Sequence, residues 1–261
     1  MLLAETNARI AAGSDLAAGS GNGAVGAATH SRAWPELETD EARGWSETVR
    51  RGLNVTVAVV LLVVAAPLML VIAIAIRLTS PGPVLYAQPR IGIDRRARDG
   101  ASSNHRRGVD HGGKVFRIYK FRTMYAVTNA QAAREEAQRW ASQDDPRVTP
   151  IGRFLRRYRL DELAQLINVL RGDMNLVGPR PEQPRIFAEL RDQIPDYWRR
   201  QSVLPGITGW AQINQPYDSC MDDVRRKLIY DLEYIGRRSA LEDLKILLYT
   251  LPAVLVKRGG W

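Results

Sequence analysis

The sequence predicts a mainly α-helical protein with a small β content, built around one long membrane-associated helix. No charged residue occurs from Leu53 to Ile76, "LNVTVAVVLLVVAAPLMLVIAIAI". Two later stretches, "LDELAQLINVL" and "SALEDLKILLYTLPAVLV", repeat apolar residues at helical spacing. Strand-like text is short: "VLYAQ" lies between turn residues, and "KVFRIYKFRTM" has a period that fits either a strand or a short helix.

Composition sets the outer bounds. The 261 residues, 45% hydrophobic, suffice for one sizeable domain with tails or two small ones. Lys+Arg 37 against Asp+Glu 28 gives a formal charge of +9, so the surface attracts anions: nucleic acid, phospholipid headgroups or phosphorylated substrates. Cys220 is the only cysteine, which excludes an intrachain disulfide and a thiolate metal cluster.

Residues 1–45, rich in Ala, Gly and Ser and lacking a secretory signal, read as a disordered cytoplasmic tail. Residues 46–78 read as the membrane helix. Its uncharged core would cover roughly 36 Å at about 1.5 Å per residue, enough to cross a bilayer. Pro67 interrupts the run and bends a helix. Arg50 and Arg51 precede it and Arg77, Arg90, Arg95 and Arg96 follow, so the positive-inside tendency draws both ends to the same side. From the residues alone, a re-entrant bend and a simple crossing are equally open.

Beyond the helix, "TSPGPVLYAQPRIG" is a break, a short strand and a turn. Residues 94–113 form a basic, Gly- and Ser-rich loop, in which His105 and His111 lack companions at metal-ligand spacing. "NAQAAREEAQRWASQ" predicts a solvent-facing helix that "DDPRVTPIGRF" ends. In "LDELAQLINVL", Leu163, Leu166, Ile167 and Leu170 predict one buried stripe, with Asp161 pointing away from it toward Arg157 and Gln165. Near the end, Leu241, Leu244, Leu248 and Leu251 predict an amphipathic helix, bent at Pro252, that packs in the core or lies on lipid.

The adjacent acids Asp161 and Glu162 sit among Arg153, Arg156, Arg157, Arg159 and Arg171. Nearby positive charge lowers a carboxylate's pKa, so the ionised form, a nucleophile or a magnesium ligand, is expected to be favoured. Acids at a helix start also interact favourably with the helix dipole, which would account for the pair without any function. Arg180 lies between Pro179 and Pro181, which present it from a stiff turn suited to bidentate phosphate recognition. A phosphate-binding carboxylate site next to a membrane helix points to a lipid phosphate as substrate. Two anionic reactants would then need Mg²⁺ and several cations between them.

The ordered set "APLML", "LTSPGPVLYAQPRIG", "FRIYKFRTM", "DPRVTPIGRFLRR", "LDELAQLINVLRGDMNLVGPRPE", "LPGITGWAQ" and "DLKILLYTLPAVL" resembles the bacterial sugar transferases, monotopic phosphoglycosyltransferases, from about Arg50 to Trp261. The resemblance implies a re-entrant membrane helix bent at Pro67, interfacial amphipathic helices, and a catalytic core over residues 79–261 on the cytoplasmic face of the bacterial inner membrane. It implies transfer of sugar-1-phosphate from a UDP-sugar to polyprenyl phosphate, the initiating step of exopolysaccharide, capsule, O-antigen or glycoconjugate synthesis. UMP leaves, and the reaction passes through a covalent intermediate on Asp161. Glu162 assists through Mg²⁺ and positioning, Asp243 matches a required acid, and Lys120, Arg122, Arg147, Arg153, Arg180 and Pro181 form the donor-binding set. Anionic lipid is an expected partner, nucleic acid is not, and homo-oligomerisation is left open.

The pattern departs at Ala66, where many members have Ser, at Ala164, where they have Pro, at Tyr158 and Arg159, which replace Thr-Ser, and in the length of the basic loop. These bear on geometry rather than chemistry. Two other readings fit the same residues. In a membrane-tethered basic binding protein the arginines bind phosphates and the acids only cap a helix. An ordinary glycosyltransferase releasing UDP would carry a buried Asp-x-Asp metal motif after a strand, which the sequence lacks.

Overall fold

A computed structural model describes residues 40–94, 112–125, 145–215 and 220–256. The predicted helix after Tyr125 and nearly all of the basic loop lie outside these residues. What is described is mostly helical, with few strands and one long apolar helix. That helix, α1 (Asp40–Thr79), is continuous through Pro67. It begins within the stretch read as tail, because "DEARGWSE" is built mostly of residues that tolerate or favour helix. Among the described residues it is the one helix long and apolar enough to cross a membrane.

β1 (Leu85–Ile91) pairs antiparallel with β2 (Val115–Phe121), from Leu85 opposite Phe121 to Ile91 opposite Val115. The ambiguous "KVFRIYKF" text is therefore a strand, its buried Phe116 and Ile118 two apart as the pleat requires. α2 (Pro150–Arg157) follows, with Thr149 capping the Gly152 N–H and proline in its first turn. A Cβ at Gly152 would collide with the backbone of Thr123, so glycine lets α2 dock beside the end of β2.

Arg159, at φ 54°, turns the chain sharply into a 3₁₀ helix, Leu160–Gln165, which continues as α3 (Leu166–Arg171) and stops at Gly172, φ 81°. This corrects the single buried stripe. Leu170 is 39% exposed, while Ala164, Gln165, Leu166, Asn168 and Val169 are buried, and Asp161 is buried with them rather than pointing away. Three residues per turn, in place of 3.6, rotate the first half of the segment relative to the second.

β3 (Asn175–Val177) lies parallel to β4 (Gly206–Thr208). Between them come α4 (Pro184–Gln193) and a 3₁₀ helix, Tyr197–Ser202; after them, α5 (Trp210–Asn214), α6 (Met221–Arg237) and α7 (Ala240–Val256). The main apolar cluster joins Ala58 of α1 to Phe116, Val169, Met174, Tyr234 and Ile246. A second cluster joins Ile72 and Ile76 of α1 to Phe121 and Leu155. Both halves of α1 therefore pack on the same body.

Polar ties fix the first half of α1. Arg51 donates to the carbonyls of Val169, Leu170 and Met174, closing the C-terminal end of α3. The Asn54 side chain accepts from the Leu176 N–H at 2.6 Å and donates to Arg50 O at 2.7 Å. Arg50 reaches Asp243 at 2.8 Å and the Tyr234 hydroxyl at 2.9 Å. On the outer side Val63 and Val64 are 70% and 72% exposed.

Asn168, fully buried, fastens α3 to β2 as a neighbouring strand would. Its carbonyl accepts from the Tyr119 N–H at 3.0 Å and its amide donates to Arg117 O at 2.7 Å. Asn168→Ala leaves both strand groups unpaired, and urea unfolding is expected to show a loss of about 3 kcal/mol.

Candidate active site

The αL turn at Arg159 delivers Asp161 and Glu162 inward, where they are 7% and 9% exposed. Three elements converge on Glu162. Lys120, from the end of β2, donates to Oε1 at 2.9 Å, and Arg180, on the turn after β3, donates to the same oxygen at 2.6 Å. Asp161 receives neither bond. Arg156, the inward arginine of α2, donates to the Thr123 hydroxyl at 3.0 Å, and its charge also acts on Asp161.

The two acids separate electrostatically. Burial pushes Asp161 up to about 6 and Glu162's charge adds to the rise, against the pull of Lys120, Arg156 and Arg180. Burial acts on Glu162 too, but the charges and hydrogen bonds of Arg180 and Lys120 outweigh it and hold this carboxyl well below the usual range. The expectation that surrounding arginines favour ionisation of both acids therefore holds for Glu162 and fails for Asp161. The reason is direction: Arg153 and Arg157 point outward, and the two donated hydrogen bonds fall on one partner only.

Arg180 is held from beneath by a buried ionic layer. Arg200 donates to Arg180 O at 3.0 Å, to Asp231 at 2.7 Å and to Glu182 at 3.3 Å, while Lys227 reaches Glu182 at 2.8 Å. Lys227 and Arg200 overcome the burial of Glu182 and keep it ionised. Arg90 donates to Pro181 O at 3.1 Å and is brought down to about 10 by burial. Pro181, Arg180, Phe187, Arg200 and Gln201 line a cleft at this turn.

Of the residues singled out in the sequence, Asp161, Glu162, Lys120 and Arg180 come together. Arg122 is turned back onto Ser80 and Pro81, bracing the segment that leaves α1. Arg147 is clasped by Asp145, whose carboxyl that contact lowers to about 2. Arg153 is exposed on α2. Asp243 bonds to Arg50 and Tyr234, and neither of these contacts the acid pair. Arg156, Arg90, Glu182, Arg200 and Lys227 were not among the site residues read from the sequence. Arg156 is one of four arginines in "RFLRRYR", and its phase is set only once α2 and the turn at Arg159 are known. Arg90, Arg200 and Lys227 lie far along the chain from the acids, and Glu182, two residues after Arg180, gains its role only from those distant partners.

Among the described residues no three His, Cys, Asp or Glu side chains cluster as a self-contained metal site. Mg²⁺ commonly uses one or two carboxylates together with substrate phosphates, a donor set that this acid pair could supply in part.

Residues 45–257 match the family model described as "Bacterial sugar transferase". The chain is 40% identical over 223 residues to an undecaprenyl-phosphate glucose phosphotransferase of Komagataeibacter xylinus, covering 83% of this chain and 38% of that protein. It is 37% identical over 220 residues to a UDP-glucose:undecaprenyl-phosphate glucose-1-phosphate transferase of Escherichia coli K12, covering 84% and 42%. Against the exopolysaccharide production protein ExoY of Sinorhizobium fredii it is 32% identical over 234 residues, covering 86% and 93%. The chain thus spans less than half the length of the first two and almost all of the third.

Because Asp161 is more readily protonated folded than unfolded, its favourable contribution is full below the unfolded carboxylate range and is lost as pH rises through about 6. Asp161→Asn is therefore expected to raise the melting temperature by a few degrees at pH 7.5, with the gain over wild type shrinking as pH falls from 6 toward 4 in thermal unfolding scans.

Proposed function

The chain belongs to the bacterial sugar transferase family, and from that premise we propose that it transfers sugar-1-phosphate from a UDP-sugar to undecaprenyl phosphate at the cytoplasmic face of the inner membrane, initiating a polysaccharide or glycoconjugate. The observation that carries this reading is the split acid pair: Glu162 held ionised by Lys120 and Arg180, beside a buried Asp161 free of those bonds.

An Asp161 carboxylate oxygen attacks the sugar-proximal phosphorus. The bond from that phosphorus to the bridging oxygen breaks, and UMP leaves with the electron pair. An oxygen of polyprenyl phosphate then attacks the same phosphorus, the aspartyl bond breaks, and polyprenyl-diphosphate-sugar forms with the carboxylate restored. Lys120, Arg156 and Arg180 face the diphosphate and offset its charge. Glu162, whose Oε1 carries both cation contacts, would hold Mg²⁺. Bound there, the ion would neutralise charge building on the leaving phosphate. With its pKa near 6, Asp161 is largely ionised at neutral pH yet desolvated, which suits a nucleophile.

A re-entrant course for α1 fits the packing. Ala58 and Ile76 lie on the same body, although residues 58 and 76 are separated along a helix by about 27 Å, close to the thickness of the hydrocarbon core. A straight crossing would drag that polar body through the bilayer. Arg50, Arg51 and Arg77 at the two ends agree with both facing the cytoplasm.

Purified protein in detergent with Mg²⁺, polyprenyl phosphate and separate UDP-sugars is expected to release UMP with one donor. Release of UDP would mean plain glycosyl transfer and overturn the reading. Asp161→Asn is expected to bind the nucleotide sugar and form no labelled phosphosugar adduct; near wild-type turnover would remove Asp161 as nucleophile. The acid limb of wild-type kcat/KM is expected near pH 6, activity falling as Asp161 protonates. Glu162→Gln removes a charge that raises Asp161, so whatever activity remains should show this limb at lower pH.

A further inference from the structure

The cleft at the Arg180 turn has a largely apolar wall, in which Ile91, Phe187, Val203 and Pro205 stand around Gln201. Its charged side chains are already engaged: Arg200 donates to Glu182 at 3.3 Å, and Arg180 Nη2 donates to Glu162 at 2.6 Å. Gln201 is not. It is 6% exposed, yet neither its amide nitrogen nor its amide oxygen has a hydrogen-bond partner, and among the described lining side chains it alone leaves buried polar atoms unsatisfied. A buried amide with both ends unpaired costs stability in the free protein and calls for a water or a ligand to complete it.

The surroundings hold that amide in place and leave it uncapped. The Gln201 carbonyl accepts from the Asp94 N–H at 2.9 Å, which fixes the backbone. Gly112 and Gly113 stand beside the side chain: a Cβ at 112 would lie 3.1 Å from Oε1, and one at 113 would lie 3.1 Å from Nε2. Glycine at both positions keeps side chains off the amide. The cleft encloses about 280 Å³, partly open to solvent, which is just below the size of pockets that enclose a whole drug-sized ligand. It suits one ring and not an entire nucleotide sugar.

Chemistry narrows the ring. An amide presents one acceptor and one donor side by side, and its complement is a flat group with a donor beside an acceptor, as in N3–H and O4 of uracil. The apolar wall suits the faces of such a ring. A sugar, with a hydroxyl on most of its carbons, would leave several of them unpaired there. Position agrees, because Arg180 lines the cleft while its guanidinium reaches the acid pair, so one side chain joins the base end of a nucleotide to its phosphate end.

We propose that this cleft holds the uracil of the UDP-sugar, with Gln201 Oε1 accepting from N3–H and Nε2 donating to O4. The assignment rests on the reaction proposed above and adds to it the residue that selects the nucleotide.

The test compares UMP, N3-methyl-UMP and inorganic pyrophosphate as competitors of UDP-sugar turnover by the full chain in detergent with Mg²⁺. Wild type is expected to bind UMP about tenfold more tightly than N3-methyl-UMP, which has lost the donor and carries a methyl group in its place. Gln201→Met removes no hydrogen bond within the protein, so it is expected to fold, to raise KM for the UDP-sugar about tenfold with the loss falling on KM and not on kcat, and to erase the preference for UMP. Pyrophosphate, which has no base, should compete equally with both proteins. Equal binding of UMP and N3-methyl-UMP by wild type overturns the assignment whatever the variant does, and leaves the amide to water. Parallel loss of UMP and pyrophosphate in Gln201→Met makes the residue structural and also overturns it. A preference for UMP that survives in Gln201→Met, with a KM change that depends on the sugar, moves Gln201 to the sugar and overturns it too. If wild type releases no UMP from any UDP-sugar, the reaction itself is refuted and the assignment falls with it.

Discussion

One carboxylate oxygen organises this protein. Glu162 Oε1 accepts from Lys120 at the end of β2 and from Arg180 on the turn after β3, so a hairpin, a 3₁₀ helix and a proline-framed turn meet at a single atom. That atom absorbs the nearby positive charge that would otherwise reach both acids equally. The cost of burying Glu162 is offset by two charged donors; the cost of burying Asp161 is not, and it surfaces as a raised pKa. Adjacent residues of similar chemistry thus acquire different proton affinities from shared burial and from donors that fall on only one of them.

The arrangement survives because Arg180 cannot retreat. Its carbonyl is gripped by Arg200, which is itself locked between Asp231 and Glu182, and Glu182 is shared with Lys227. Breaking any one of these contacts strands a buried charge, an outcome far more destabilising than the pair is stabilising. The layer therefore acts as a rigid footing for the turn, with prolines at 179 and 181 restricting the backbone above it.

Much of this was legible in the sequence. The apolar run of α1, the acid pair and Arg180 stood out through charge, spacing and flanking prolines, because those features act locally, whereas Lys120 was marked only by the resemblance to the family. The inward turn of Asp161 did not, since it depends on a left-handed conformation at Arg159, a residue type with no particular preference for it, and on a switch from three to 3.6 residues per turn within one apolar pattern. Arg122 and Arg147, which the resemblance places in the donor-binding set, lie in this fold against a carbonyl-rich turn and a neighbouring acid. Sequence shows which residues carry charge; only the fold shows which charges are already spent.

The polar ties of Arg50, Arg51 and Asn54 give α1 a meaning beyond attachment. These residues complete the end of α3, the N–H of Leu176 and the buried carboxylate of Asp243, groups that belong to the body of the protein. The anchor is therefore not a removable tether. Shortening the chain to obtain a water-soluble fragment would expose the apolar side of β3 and α3 and orphan their polar ends. During synthesis α1 emerges before every element it supports, so the body assembles on a helix that is already made, and the order of the chain is also an order of assembly.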